Sequence, residues 1–274
     1  MLELRELVKH YPSVGGETVR AVDGVSLKVE KGEMVALYGP SGSGKTTLLL
    51  MVATLLAPTA GEVLIGGRDV SSLSEREASH FRLSQLGFIR QNFDLLPGVT
   101  AIDNAVLKLL KAKRWKDAQT EVKPLLERLG LGDRLHHRSE TLSMGERQRV
   151  MIARALSTQP SMLLADEPTG SLDTQRGREV LELLRGLCRE RGVAVVLVSH
   201  DPMAAHYADR VYALRDGRLG DYQTDREPPL AGHPPACRAE KPTDPIVQPL
   251  DGGVGKPAIP ADRASVGGVA AQPS

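Results

Sequence analysis

Apolar and polar positions alternate with a period of two over residues 2–8 and again over residues 25–29, which predicts two early strands. Met34–Tyr38 (MVALY), Leu86–Ile89 and residues 162–165 and 193–198 are short, almost wholly apolar runs, and the last is rich in valine. Such runs predict strands buried on both faces. Residues 61–65 form another short strand before Gly66 and Gly67, and residues 211–214 a last one before a turn at Asp216 and Gly217. Between them the period becomes helical, over residues 47–53, 74–84, 101–112, 116–129, 146–156 and 175–191. Ser74 with Glu77 three residues on is a capping box, and Gly130 is placed to end a helix. Strands alternating with helices imply a mostly parallel sheet covered on both faces. The early strands imply a small antiparallel sheet beside it, and residues 92–158 a helical insertion. Trp115, between two predicted helices, is expected to pack.

Composition narrows the picture. After Tyr222 prolines and glycines cluster and large apolar residues thin out, so residues 223–274 are expected to form a disordered tail behind a folded region of residues 1–222. A net charge of +1 offers neither the basic field of a nucleic-acid binder nor a broad attraction to anionic lipid. The two cysteines, Cys188 and Cys237, lack metal-type spacing and read as free thiols. No run approaches the eighteen or so apolar residues of a membrane span, and the charged N-terminus lacks a signal core, so a cytoplasmic protein is expected.

The chemistry begins between the third strand and the first helix. Gly39, Pro40, Ser41, Gly42, Ser43, Gly44, Lys45, Thr46 and Thr47 spell GPSGSGKTT, the phosphate-cradling pattern. Glycines let successive N–H groups face phosphate oxygens, Lys45 adds a mobile positive charge, and the Thr46 hydroxyl suits Mg²⁺. A strand–loop–helix context adds the positive end of the helix dipole. The fold class that follows is α/β, a P-loop NTPase core that binds a nucleoside triphosphate.

A second group lies at strand ends. The run MLLADEP carries Asp166, positioned to share Mg²⁺ with Thr46, and Glu167, able to polarise an attacking water as general base. Gln91 follows the strand Leu86–Ile89 and can reach the metal or position water. His200, after the valine run, can donate to a γ-phosphate or brace the base.

The segment LSMGERQRVMIARAL, beginning at Leu142, resembles the signature of ATP-binding-cassette (ABC) ATPases. The order of phosphate loop, Gln91, signature, Asp166-Glu167, Ser171-Leu172-Asp173 and His200 is similar to theirs over nearly all of the foldable chain. The resemblance implies a head-to-tail homodimer with two ATP molecules at the seam, each held by the phosphate loop of one subunit and by Ser143, Met144, Gly145 and Glu146 of the other. It implies that Asp173 couples the two sites and that Tyr11 stacks on adenine. The chain departs from the family at Met144, where glycine is usual, and at Glu146, where glutamine is commoner. Met144 fits if its backbone is helical.

The N-terminal pattern, NFDLLPGVTAIDNA after Gln91 and ADEPTGSLD resemble the branch that releases lipoproteins, exports macrolides or serves cell division. That implies an ATPase subunit driving a separate membrane permease, peripheral on the inner face of the cell membrane, with residues 97–104 in the groove that receives the permease. The competing reading is a soluble ABC ATPase of ribosome or repair type, and the near-neutral charge and single cassette speak against it.

Overall fold

Leu2–Pro12 (β1) pairs antiparallel with Thr18–Val29 (β2), burying Leu2, Leu4 and Leu7 of the one against Val25, Leu27 and Val29 of the other. The computed structural model describes residues 1–12, 18–91, 95–170 and 172–222. All lie in one compact unit, Met1–Asp225. The second unit, Arg226–Ser274, lies outside the described residues, and so do the expected disordered tail, Cys237 and Ser171.

The chain continues through Met34–Tyr38 (β3), the helix Lys45–Val52 (α1), Ala60–Ile65 (β4), Arg68–Asp69 (β5), Glu75–Ser84 (α2) and Leu86–Ile89 (β6). Ala101–Val106 (α3), Trp115–Arg128 (α4) and Met144–Leu156 (α5) make the helical insertion. Met162–Asp166 (β7), Thr174–Arg191 (α6), Ala194–Ser199 (β8), Arg210–Arg215 (β9) and Arg218–Asp221 (β10) complete the described unit.

Two sheets result. One is antiparallel, in the order β2-β1-β4-β5; the other runs β10-β9-β3-β8-β7-β6 and is parallel except for β10. The central strands show why the valine-rich run must lie inside. Leu163, Ala165, Val195 and Leu197 face the cluster built with α3, α4, α5 and α6, while Met162, Leu164, Val196 and Val198 face the cluster shared with α1 and the antiparallel sheet. Successive side chains take opposite faces, so a strand covered on both sides is apolar throughout. The sheets are tied at one edge by Asp23, whose N–H donates to the Gly217 carbonyl at 2.8 Å and whose carboxylate accepts from Arg218 at 2.9 Å.

The expected elements are present with shifted ends. The first helix begins at Lys45 rather than Thr47, because Gly44 turns through the left-handed region and starts it early. The helix expected over 101–112 stops at Val106. Shorter i→i−3 bonds follow, from Leu109 N to Val106 O and from Ala112 N to Leu109 O. Ser74 and Glu77 form the expected capping box. Gly130, at φ 69°, follows the end of α4 in the left-handed conformation of a helix stop. Trp115 departs from expectation: it is the first residue of α4 and is 43% exposed rather than packed.

Buried Asn104 organises the loop before α3. Its Oδ1 accepts from Leu96 N at 2.7 Å, and its Nδ2 donates to the carbonyls of Leu96, Val99 and Thr100. Leu95 packs on the core, and Leu96 is left 46% exposed.

Candidate active site

The phosphate loop is shaped by what its glycines must avoid. A Cβ on Gly39 would lie 2.2 Å from the Leu214 carbonyl oxygen, and one on Gly44, at φ 100°, would lie 1.9 Å from the Ala21 carbonyl oxygen. Both obstacles are backbone, so neither position accepts a side chain. The loop closes by a bond from Ser43 N to Pro40 O at 3.2 Å. Lys45 Nζ donates to the carbonyls of Gly39 at 2.7 Å and Pro40 at 2.8 Å, which places the ammonium across the loop. The Ser43 hydroxyl is buried within the loop without a hydrogen-bond partner among the described residues. The first turn of α1 has no side-chain cap and no acid, so its N–H groups are available to an anion.

The acids stand opposite. A cleft of ≈ 880 Å³ is lined by Ser41, Gly42, Gly44, Lys45, Thr46 and Thr47 on one side and by Gln91, Asp166, Glu167 and His200 on the other. Thr46 Oγ1 lies 3.4 Å from Asp166 Oδ1. Burial holds the Asp166 carboxyl above its ordinary value; the Thr46 hydroxyl and the Lys45 charge work against this, and the neighbouring Glu167 adds to it. Among the described residues no cluster of three or more His, Cys, Asp or Glu could hold a metal by itself. The oxygen pair of Thr46 and Asp166 fits a cation that completes its shell with phosphate oxygens and water, as Mg²⁺ does.

Glu167 sits just past the end of β7 with a left-handed backbone, at φ 49°. The turn sends its side chain away from that of Asp166 and toward β8. Its Oε2 accepts from His200 N at 3.3 Å and from the Ser199 hydroxyl at 3.4 Å, and it lies at an ion-pair distance of 2.9 Å from His200 Nδ1. With Nδ1 beside the carboxylate, Nε2 is the His200 ring nitrogen left for the cleft. The Glu167 side chain is 10% exposed and that of His200 is 64% exposed, so the pair spans from interior to surface.

The signature residues form a separate group. Ser143 caps α5: Glu146 N donates to Ser143 Oγ at 3.3 Å, and Ser143 N donates to Glu146 Oε2 at 2.7 Å. The Ser143 N–H and Arg134, at 2.9 Å, hold the Glu146 carboxyl below its ordinary value. Met144 is the first helical residue and 44% exposed, so the helical condition on its fit is met. Beside it, Gly145 lies under Arg176, whose Cδ would be 3.3 Å from an added Cβ. Asp173 caps α6, accepting from Arg176 N at 3.0 Å. None of Ser143, Met144, Gly145, Glu146 or Asp173 lines the cleft with Lys45 and Glu167.

Tyr11 also stands outside the cleft lining; it is opposite Val19 in the sheet register, and Val19 does line the cleft. Lys9 Nζ lies 5.5 Å from the centre of the Tyr11 ring. The remaining wall was invisible in the sequence. Arg20, Ala21, Asp216 and Gly217 reach the phosphate loop from far along the chain, and only the turn-forming Asp216-Gly217 pair signalled anything there.

A phosphate loop between β3 and α1 of a parallel sheet, facing acids on the neighbouring strand ends, defines a P-loop nucleoside triphosphatase. The ABC transporter family model matches residues 22–170, and the chain belongs to that family. It is 46% identical over 220 residues to the lipoprotein-releasing system ATP-binding protein LolD 2 of Caulobacter vibrioides, covering 80% of this chain and 96% of that one. It is also 46% identical over 224 residues to the macrolide export ATP-binding/permease protein MacB of Rhodopirellula baltica, covering 81% of this chain but 33% of that longer protein. The dimeric structure of MJ0796, a bacterial ABC transporter cassette, superposes with a TM-score of 0.74 at 36% identity, covering 85% of this chain and all of that one. A second structure of MJ0796 holds ADP and Pi after hydrolysis, with the same score and identity. The chain is an ATP-binding, ATP-hydrolysing cassette, the ATPase subunit of a membrane ABC transporter. No helix among the described residues is long and apolar enough to cross a membrane.

Proposed function

We propose that two copies of the chain pair head to tail around two ATP molecules, and that the pairing drives a separate membrane permease. One observation carries this: the phosphate-loop cleft contains none of the signature residues of its own chain. A second copy, turned by a twofold axis, would lay Ser143 and the first amides of α5 against the γ-phosphate in the opposite cleft. Asp173 would lie at the same seam, and Tyr11 would stack on adenine at the margin beside Val19.

Within each cleft the loop amides and Lys45 hold the β- and γ-phosphates. Thr46 and Asp166 would hold Mg²⁺, with Gln91 within its reach, and the ion would supply positive charge against the negative charge developing at the γ-phosphate. The Glu167 carboxylate takes a proton from the attacking water as oxygen bonds to phosphorus and the bond to ADP breaks. His200 holds that carboxylate through its main-chain N–H, sets Nδ1 beside it and turns Nε2 toward the phosphate. Hydrolysis then removes the bridge between the subunits.

On this reading the protein works in the cytoplasm on the inner face of the membrane. The loop that Asn104 braces, with Leu96 exposed, receives the permease. High identity to LolD over almost its whole length favours the lipoprotein-releasing and macrolide-export branch. Sedimentation of the Glu167→Gln variant tests the pairing: it should become a dimer with ATP and stay a monomer with ADP. A monomer at saturating ATP overturns it.

A further inference from the structure

The helical insertion carries a charge pattern that the whole-chain balance hides. Net charge is +1, yet residues 108–116, KLLKAKRWK, hold Lys108, Lys111, Lys113, Arg114 and Lys116 and no acid. From 111 to 117 every residue is exposed. In the middle stands Trp115, the chain's only tryptophan, 43% exposed at the start of α4.

The cations divide in two. Lys108 turns inward and donates to the Leu86 carbonyl at 2.6 Å, where burial lowers its pKa to about 8. Lys113 pairs with Glu121. Lys111, Arg114 and Lys116 make no ion pair among the described residues, and Asp117 is the one acid within the exposed run.

An exposed indole gains little from water; its apolar ring and N–H suit the boundary between hydrocarbon and headgroups. Lysines and arginines close to an anionic leaflet are drawn to it. A polynucleotide offers phosphates too, but single-strand binding uses a basic groove with several aromatics in series, and here there is one indole among cations at the start of a helix.

We propose that the segment around Trp115 is a lipid-contact site, in which Lys111, Arg114 and Lys116 engage the phosphates of anionic lipid headgroups and the Trp115 ring enters the interfacial layer. One aromatic and three cations give reversible, salt-sensitive adhesion rather than anchoring. Such contact would hold the cassette close to the bilayer independently of a permease.

The single tryptophan makes the test direct. The full chain is mixed, without nucleotide, with vesicles of phosphatidylcholine alone or with added phosphatidylglycerol. Expected are a blue shift of tryptophan emission and co-sedimentation with the anionic vesicles only, both reversed by salt. The variant carrying Lys111→Glu, Arg114→Glu and Lys116→Glu should lose about a hundredfold in partitioning, the worth of three cations at an anionic surface. Its circular dichroism and basal ATPase activity should be unchanged, since all three residues are exposed. Equal binding to both vesicle types, no binding, or full binding by the charge-reversed variant overturns the site, as does binding to single-stranded polynucleotide without binding to anionic vesicles. The assay uses neither ATP nor permease, so its failure leaves the pairing around ATP untouched.

Discussion

His200 Nδ1 lies 2.9 Å from Glu167 Oε2, and the backbone N–H of the same histidine reaches that oxygen at 3.3 Å. One residue thus meets the carboxylate twice, by a main-chain hydrogen bond and by a ring nitrogen at ion-pair distance. Glu167→Gln should lower kcat by about 10²–10⁴, the range of general-base catalysis, with ATP binding retained. His200→Ala keeps the backbone bond but frees the carboxylate from the ring, and should also lower kcat with little change in KM. Steady-state turnover against ATP concentration checks both; wild-type kcat in Glu167→Gln would remove it as the base.

Lys45→Ala removes the one ammonium in the phosphate loop. A hydrogen bond to a charged group contributes about 1.5–3 kcal/mol, so ATP affinity should fall about 10- to 100-fold. Equilibrium binding of a fluorescent ATP analogue measures it, and unchanged affinity would refute the loop assignment.

Gly44→Ala drives a methyl group into the Ala21 carbonyl at a left-handed position. It should destabilise the fold by more than about 1 kcal/mol and abolish ATP binding together. Thermal unfolding separates it from Gly42→Ala. There the added Cβ meets nothing within 4 Å, and only the positive φ of 81° opposes it.

Met144→Gly should leave stability within about 0.5–1 kcal/mol of wild type, because the side chain is exposed and only helix propensity changes. It should lower the ATP concentration at which the Glu167→Gln background dimerises, since no side chain then stands at the first residue of α5, where the partner's γ-phosphate is proposed to bind. Sedimentation across an ATP titration reads the shift, and an unchanged midpoint would show that the side chain is turned aside.

Much of this architecture is legible from side-chain pattern, and the exceptions have physical reasons. The run through Val196 and Val198 is apolar because both faces of β8 are covered, and burial on that scale dominates any local preference. The Ser74 and Ser143 caps both depend on a glutamate three residues on; only the first was expected, because Ser143 was read for its place in the signature and not for its spacing to Glu146. The wall of the cleft at Ala21 and Gly217 was hidden because sheet register, rather than sequence proximity, carries those residues to Gly44. Trp115 was misread as packed. Aromatic character favours burial on average, but Trp115 opens α4 within a run, 111–117, that is exposed throughout.

Glu146 makes a pH-dependent prediction. Its carboxyl is held below the ordinary value by Ser143 N–H and by Arg134, so the folded state favours the charged form. That contribution is present above the unfolded pKa, about 4.3, and is lost as pH falls through the lower folded value. Glu146→Gln keeps the capping geometry without a charge to titrate. Thermal unfolding should therefore depend less steeply on pH below about 4 in the variant than in the wild type.

The left-handed backbone at Glu167 sets two demands against each other at one residue. Glycine there would relieve about 1–2 kcal/mol of conformational cost, but it would remove the carboxylate that His200 and Ser199 hold. With Glu167 as the proposed base, a search for heat-resistant variants of this protein would therefore be drawn toward an inert enzyme at that position. Any thermostabilised form meant to keep turning over ATP must gain its rigidity elsewhere.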